Sequence, residues 1–466
     1  MSTPPTALIM AAGEGTRMRS SVPKVLHEVC GRPMIAWPVA AAHEAGAGRV
    51  CVIVPPDRDL SPALPNGTVT VVQPEPDGTG GAVRAAGELI ADSGTVLVLS
   101  GDTPLLGADA IAGLIAAHRE AGAAATVMTT ELDEPASFGR VVRTASGTIE
   151  RIVEAKQPGD ASAEQLAIKE VNAGTYAFDA PALADALERL SNDNAQGEYY
   201  LPDVLPLIRD AGGTVAAHLV ADPAVNLGVN DRADLARVTL EARRRILLAH
   251  MRAGVTIEDP DSTWIDADVE LAPDVVLAPG SSLRGRTKVG TGSRIGPMTT
   301  LIDARIGERV SVPHSYLTAC EVGDGAAIGP FAYLRPDTRL GEDSKAGAFV
   351  EIKNSEIGDG AKVPHLSYVG DAEIGAGSNL GAGTITANYD GFRKNRTKVG
   401  RDVRTGVDTS LVAPVEVSDG AYTGAGSVIT EDVPAGSLGI SRADQKNVPG
   451  YADRKAKEAE KKGKGS

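Results

Sequence analysis

Residues suited to phosphate chemistry stand near the start of the chain. Met10-Ala11-Ala12-Gly13-Glu14-Gly15-Thr16-Arg17-Met18 runs from an apolar segment into a glycine-rich turn and then a cation. Backbone N–H groups of such a turn cradle phosphate oxygens, although a lone G-x-G suits an ordinary strand-to-helix turn as well. Arg17 and Lys24, the latter in Val22-Pro23-Lys24-Val25-Leu26-His27, add two charges just past the turn. They would neutralise a triphosphate, or they are two solvated surface cations. Further on, Val96-Leu97-Val98-Leu99-Ser100-Gly101-Asp102 puts a carboxylate just beyond an apolar run, where Mg²⁺ could bridge it to phosphate oxygens. Capping a following helix is the plainer use of Asp102.

A second set of residues lies far downstream. Arg335 and Lys353 are 18 residues apart, and each directly follows an aliphatic residue, Leu334 or Ile352. If 18 residues make one coil, the two cations stack with backbones about 4.8 Å apart. At about 5 Å and an effective dielectric near 20 their repulsion is roughly 3 kcal/mol, and an anionic ligand would relieve it. The steps Ile357, Val363 and Val369 continue the wall after one five-residue slip and bring Tyr368 to the same side, with His365 just before it. Imidazole exchanges protons near neutral pH and could deprotonate an ammonium group, or the ring could merely fill a corner. His314, in Val312-Pro313-His314-Ser315-Tyr316, nearly repeats the pattern, and counting alone does not separate the two histidines.

These residues need elements to hold them, and the two halves of the chain supply different ones. Residues 1 to 230 alternate short aliphatic runs with Ala-rich helical stretches, the pattern of an α/β, Rossmann-like domain with a largely parallel sheet. Over 231–252 the apolar residues Leu235, Val238, Ala242 and Ile246 step by three or four, as on a one-faced linker helix. Over 253–466 a six-residue rhythm appears, clearest in Val322, Ile328, Leu334, Leu340, Ala346 and Ile352, the signature of a β-solenoid. The stretch Arg454–Ser466 lacks apolar periodicity and reads as a frayed tail.

Composition narrows the class. A length of 466 residues calls for more than one core. Lys+Arg of 46 against Asp+Glu of 61, a net charge of -15, argues against nucleic acid or an anionic membrane as partner. Cys30, Cys51 and Cys320 are odd in number and far apart, which excludes a disulfide framework and points to a reducing compartment, the cytoplasm. The first residues read as a buried strand rather than a signal peptide, and no apolar run is long enough to span a membrane.

In order along the first half there follow Gln73 with Asp77-Gly78-Thr79-Gly80, Phe138-Gly139-Arg140, Ile152-Val153-Glu154, Val171-Asn172-Ala173-Gly174, Asn194-Ala195-Gln196-Gly197-Glu198-Tyr199-Tyr200 and Gly228-Val229-Asn230-Asp231. With the loops above, this series resembles the bacterial bifunctional N-acetylglucosamine-1-phosphate uridylyltransferase and glucosamine-1-phosphate N-acetyltransferase, through nearly the whole chain. The resemblance implies an N-terminal nucleotidyltransferase domain and a C-terminal left-handed parallel β-helix of hexapeptide repeats. It implies that Met10, Ala11, Ala12, Gly13, Lys24, Gln73, Gly78, Thr79, Ser100, Gly101 and Asp102 hold the uridine nucleotide, and that Gly139, Glu154, Asn172 and Asn230 hold the sugar. Asp102 and Asn230 would ligate Mg²⁺, with Arg17 and Lys24 assisting the reaction. In the second half Arg335, Lys353, Tyr368 and Asn379 would bind glucosamine 1-phosphate, Ala382, Asn388, Tyr389, Val407, Ala425 and Arg442 would face acetyl-CoA, and His365 would accept the proton. Similar solenoid acetyltransferases are homotrimers with acetyl-CoA between subunits.

Three positions depart from the family pattern. Glu14 adds an acid near the phosphates, Asp231 stands where a second Asn is common, and Val407 replaces the usual Ser. The last change removes a hydrogen bond of roughly 1 kcal/mol to acetyl-CoA. Two other readings remain open on the residues: a monofunctional sugar-nucleotide pyrophosphorylase whose solenoid only oligomerises it, and a scaffold that binds sugar nucleotides without catalysis.

Overall fold

The apolar runs of the first half become one sheet buried on both sides. The computed structural model describes residues 3–144, 147–155, 159–194 and 196–463, with side chains to Lys461. Contacts divide the chain into two units, Met1–Ile246 and Leu247–Ser466. In the first, the strands lie in the order Val215–Leu219, Ala125–Glu131, Glu170–Asp179, Thr95–Ser100, Thr6–Met10, Arg49–Val54, Val69–Val72. Glu170–Asp179 runs antiparallel to both neighbours, and the other neighbouring pairs in this order are parallel. Helices cover both faces, which is why the strands are continuously aliphatic rather than alternating. Ala7 and Ile9 join one cluster with Val39 and Leu114, while Leu8 joins the other with Val83 and Leu183.

Register decides where the loops meet. Met10 lies beside Ser100 on one side and Ile53 on the other. The turns after the first and fourth of these strands in chain order, at 11–15 and 101–103, therefore leave the sheet at the same, carboxyl end of the strands, where ligands of such sheets collect. A helix runs over Arg232–Arg252, and the division between units falls within it. Asp231 begins this helix: its Oδ1 accepts from the backbone N–H of Ala233 and Asp234 at 2.9 Å each, the work of an N-cap.

The second unit is a left-handed parallel β-helix with three faces, formed by parallel sheets of 7, 10 and 9 strands. Its inward positions follow the six-residue rhythm: Val322, Ile328, Leu334, Leu340, Ala346 and Ile352 are all buried. Down one face Leu317, Leu334, Ile352 and Val369 pair in direct succession, each 0% exposed. Buried hydroxyls close the corners, as where Ser355 donates to the Lys353 carbonyl at 2.7 Å and accepts from Ala372 N at 2.9 Å. Asp, Asn and Gly mostly fill the left-handed corner positions, but one corner carries Met298, His314, Phe331, Phe349 and Leu366 on successive coils, all at positive φ. The tail expected to fray is instead a helix over Tyr451–Gly463. Its Ala, Lys and Glu are strong helix formers and Lys455 pairs with Glu458 at 2.8 Å, although Tyr451 through Lys461 are exposed.

Candidate functional site

The glycine-rich turn, the Asp102 loop and the segment after Gln73 line one cleft of about 520 Å³. Met10, Ala11, Ala12, Gly13, Lys24, Gln73, Gly78, Thr79, Ser100 and Asp102 all face it, as do Glu14 and Glu198. Gly101 sits behind, its N–H donating to the Met10 carbonyl at 2.9 Å. Two glycines are required by close approach. A Cβ on Gly15 (φ 64°) would lie 2.6 Å from Lys24 Cβ, and one on Gly78 (φ 102°) would lie 2.7 Å from the Tyr199 carbonyl. Gln73 is buried, and its amide donates to Asp77 Oδ1 at 2.8 Å and to the Gly78 carbonyl at 3.2 Å, so its nitrogen shapes the loop. Glu14 faces both this cleft and an adjoining pocket containing Asp57 and Glu75, which makes that end acidic.

Asp102 is the electrostatic centre of the cleft. Its Oδ2 takes the Lys24 ammonium at 2.6 Å and its Oδ1 accepts from Ser100 Oγ at 2.6 Å. The Asp102 carbonyl accepts from Val229 N at 3.0 Å, which brings Asn230 to the same loop, and Asn230 Oδ1 accepts from Arg17 at 2.9 Å. One Asp102 carboxylate oxygen and the Asn230 amide oxygen thus each face a cationic side chain. Among the described residues no group of three or more His, Cys, Asp or Glu could hold a metal. Two hard oxygens fit Mg²⁺ of the kind that completes its shell with substrate phosphates and water.

A separate cluster gathers Gly139, Glu154 and Asn172. Asn172 N donates to the Gly139 carbonyl at 3.0 Å, and a Cβ on Gly139 would fall 2.8 Å from Ile152 Cγ2 and 3.8 Å from Glu154 Oε1. The strand Glu170–Asp179 changes register between Asn172 and Tyr176, and this irregularity re-aims Asn172 so that its Nδ2 meets Tyr176 Oη at 2.7 Å. Burial, then repulsion from Glu154, raises the Asp203 carboxyl above its ordinary range. The cluster thus gathers an amide and two carboxyl groups, side chains that can hydrogen-bond hydroxyls.

On the β-helix, Arg335 and Lys353 occupy the same outward row on adjacent coils, as the count requires. Their repulsion is relieved from within the chain, which the count did not foresee. Arg335 pairs with Glu351 at 2.8 Å, and Lys353 lies 4.0 Å from Asp371. Asp371 is buried and also accepts from Asn354 at 2.6 Å and, at closer range, from Asn388. Burial raises its pKa, but the Asn354 and Asn388 bonds and then Lys353 outweigh that and hold it below the usual carboxylate range. Tyr368 stands on the next coil of this face, its Oη 3.5 Å from Asn388 Nδ2. Asn379 does not join them: it bridges Lys362, on the face that carries the His365 strand.

His365 ends the strand Lys362–His365, one turn before Tyr368, with its side chain exposed and its carbonyl held by Ser367 Oγ at 3.0 Å. His314 differs, being half-buried with its ring 5.5 Å from that of Phe331. Ala382, Val407 and Ala425 follow on successive coils, since Asp408 N donates to the Ala382 carbonyl at 2.7 Å and Gly426 N to that of Val407 at 2.8 Å. Arg442 donates to the Ala425 carbonyl at 2.8 Å, and Tyr389 is exposed on the loop that interrupts the rhythm. That loop also carries a cation that spacing could not reveal: Lys394 sits against Lys353, and contact with it, then its charge, lowers the Lys394 pKa.

A nucleotide cleft at the carboxyl ends of parallel strands in a largely parallel sheet, followed by a hexapeptide β-helix, defines a nucleotidyltransferase joined to a second, solenoid catalytic unit. Residues 7–198 match the MobA-like NTP transferase domain. The chain is 49% identical over 458 residues to the bifunctional protein GlmU of Mycobacterium tuberculosis strain H37Ra, covering 96% of this chain and 92% of the relative. It is 50% identical over 457 residues to that of Kineococcus radiotolerans (97% and 92%) and over 458 residues to that of Mycolicibacterium gilvum (96% and 91%). The chain belongs to the bifunctional GlmU family.

Proposed function

We propose that this chain acetylates glucosamine 1-phosphate with acetyl-CoA and then transfers UMP from UTP to the resulting N-acetylglucosamine 1-phosphate, releasing pyrophosphate. The observation that carries the reading is the single cleft shared by the glycine-rich turn, Lys24, Gln73, Gly78, Thr79 and Asp102. The division of labour is uridylyl transfer in 1–230, a linker helix in 231–252 and acetyl transfer in 253–466. A purely oligomerising β-helix would not need Lys353 and Lys394 gathered at buried Asp371, with Arg335 in the same row on the adjacent coil, which disfavours the monofunctional alternative.

In uridylyl transfer the acceptor phosphate is already anionic, so no base is required; the obstacle is repulsion between it and the α-phosphate of UTP. A phosphate oxygen attacks the α-phosphorus in line, the bond to the β-phosphate oxygen breaks, and pyrophosphate leaves without a covalent enzyme intermediate. Lys24 and Arg17 supply positive charge, Met10 to Gly13, Gly78 and Thr79 hold the nucleotide, and Gly139, Glu154 and Asn172 hold the sugar. Asp102 and Asn230 would hold Mg²⁺, which when bound supplies further charge stabilisation at the phosphates. In acetyl transfer Arg335, Lys353 and Tyr368 bind the sugar phosphate and His365 accepts the amine proton. The nitrogen forms a bond to the acetyl carbon, the thioester C–S bond breaks, and CoA leaves as the thiol.

Ala382, Asn388, Tyr389, Val407, Ala425 and Arg442 face acetyl-CoA, and Asn379, on a different face from Arg335, serves a site completed by a neighbouring subunit. We take the active form to be a homotrimer. Supporting it is the corner ridge of Met298, Phe331, Phe349 and Leu366, each more than half exposed. Left-handed backbone at such residues is costly, and apolar side chains held outward along one line suit a subunit contact. A cytoplasmic setting belongs to the same proposal and rests on cysteines that are odd in number, far apart in the chain and all buried. Among the described residues no helix is long and apolar enough to cross a membrane. The test is to supply glucosamine 1-phosphate, acetyl-CoA, UTP and Mg²⁺ and to look for UDP-N-acetylglucosamine. Pyrophosphate release from added N-acetylglucosamine 1-phosphate and UTP, with no CoA thiol formed from glucosamine 1-phosphate and acetyl-CoA, would leave only the monofunctional alternative.

A further inference from the structure

Arg140 is 3% exposed, and no carboxylate meets its guanidinium among the hydrogen bonds and ion pairs of the described residues. It folds back instead onto three consecutive-turn carbonyls: Phe138 at very short range, Ala136 at 2.9 Å and Pro135 at 3.5 Å. Its Nε is buried without a partner. A buried charge satisfied only by backbone oxygens is an expensive way to close a turn, and the turn itself holds Ala136 at φ 43°, a conformation alanine rarely adopts. The position of Arg140 explains the expense. Its backbone pairs with Val153 on one side and Val171 on the other, the residues immediately before Glu154 and Asn172.

We propose that Arg140 is the positioning residue of the acceptor-sugar pocket: by pinning the turn over 135–138 it holds Gly139 between Glu154 and Asn172. The planar fork of the guanidinium reaches several carbonyls at once, which a lysine ammonium does less well. This inference rests on the reading of Gly139, Glu154 and Asn172 as the sugar pocket, and the test separates the two. In the full chain, KM for N-acetylglucosamine 1-phosphate, KM for UTP and kcat of uridylyl transfer are measured for Arg140→Lys, Arg140→Met and Glu154→Ala, with acetyl transfer as an internal standard.

The expected result for Arg140→Met is an acceptor KM raised about tenfold or more with UTP KM within about twofold, because the cost of one lost charged hydrogen bond falls on one substrate. Arg140→Lys falls between it and the parent, and acetyl transfer is unchanged throughout. An acceptor KM that rises in Glu154→Ala but not in either Arg140 variant overturns the role of Arg140. Equal rises in both KM values, with partial recovery by lysine absent, reduce Arg140 to a structural residue and overturn it too. An acceptor KM unmoved in Glu154→Ala overturns the pocket assignment itself. If Arg140→Met does not fold, Arg140→Lys gives the same readings.

Discussion

Replacing Asp371 by Asn keeps the shape of the side chain and removes its charge. Asp371 is 6% exposed and receives two amide donors, from Asn354 and Asn388, while Lys353 lies 4.0 Å away. At that separation and an effective dielectric near 20 the attraction to Lys353 is about 4 kcal/mol before solvent screening. Lys353 is itself only 20% exposed, so screening is partial. An asparagine can accept one of the two amide bonds through its oxygen, but its own NH₂ then faces the other donor. Losing the charge and stranding one donor weakens the placement of Lys353 and Asn388 by roughly 1.5 to 3 kcal/mol, or about 10- to 150-fold in kcat/KM for acetyl transfer. The assay is CoA thiol release at varied glucosamine 1-phosphate, with uridylyl transfer by the same preparation as the control for folding. Acetyl transfer within threefold of the parent, with normal uridylyl transfer, refutes the idea that this buried carboxylate organises the site.

Val407→Ser restores a hydroxyl on the proposed acetyl-CoA face; one hydrogen bond of about 1 kcal/mol lowers the acetyl-CoA KM about fivefold, and an unchanged value counts against that placement. Hydrogen bonding from Arg244 holds Glu241 at about 2, against an ordinary 4.5, with burial opposing and Arg245 assisting. Because the folded pKa is the lower one, the stabilisation is present above pH 4.5 and is lost as pH falls towards 2. Glu241→Gln therefore flattens the acid dependence of unfolding across that window, and urea titrations at several pH values measure it. Replacing Phe331 and Phe349 by Ser removes the middle of the apolar corner and shifts the chain towards monomer in sedimentation; an unaltered oligomer excludes that ridge from the contact.

The β-helix was legible because a six-residue spacing is its geometry: once 18 residues make a coil, Val322 to Ile352 turn inward and Arg335 falls beside Lys353. The loops at the carboxyl ends of the strands were legible for a similar reason, since glycine and Asp102 directly after aliphatic runs mark strand ends. Side-chain pairing escaped the count. Glu351 on Arg335 and Asp371 under Lys353 depend on rotamers, and Asn388 and Lys394 arrive from an insertion that breaks the repeat. Asn379 was grouped with Arg335 by family pattern, yet the slip in the repeat sets it beside Lys362 on another face. Arg17 meets Asn230 across 213 residues, a distance no local pattern spans. The terminal helix was missed because its only apolar stripe is the three small side chains of Ala452, Ala456 and Ala459, although the helix propensity of its residues was visible.

The central claim is that two chemistries reside in two separate units of one chain. It is tested most directly by following CoA thiol and pyrophosphate independently in full-length His365→Ala and Asp102→Asn. The account predicts that His365→Ala loses thiol release yet still converts added N-acetylglucosamine 1-phosphate and UTP, and that Asp102→Asn does the opposite. Loss of both products in either variant, with the fold intact, would contradict it.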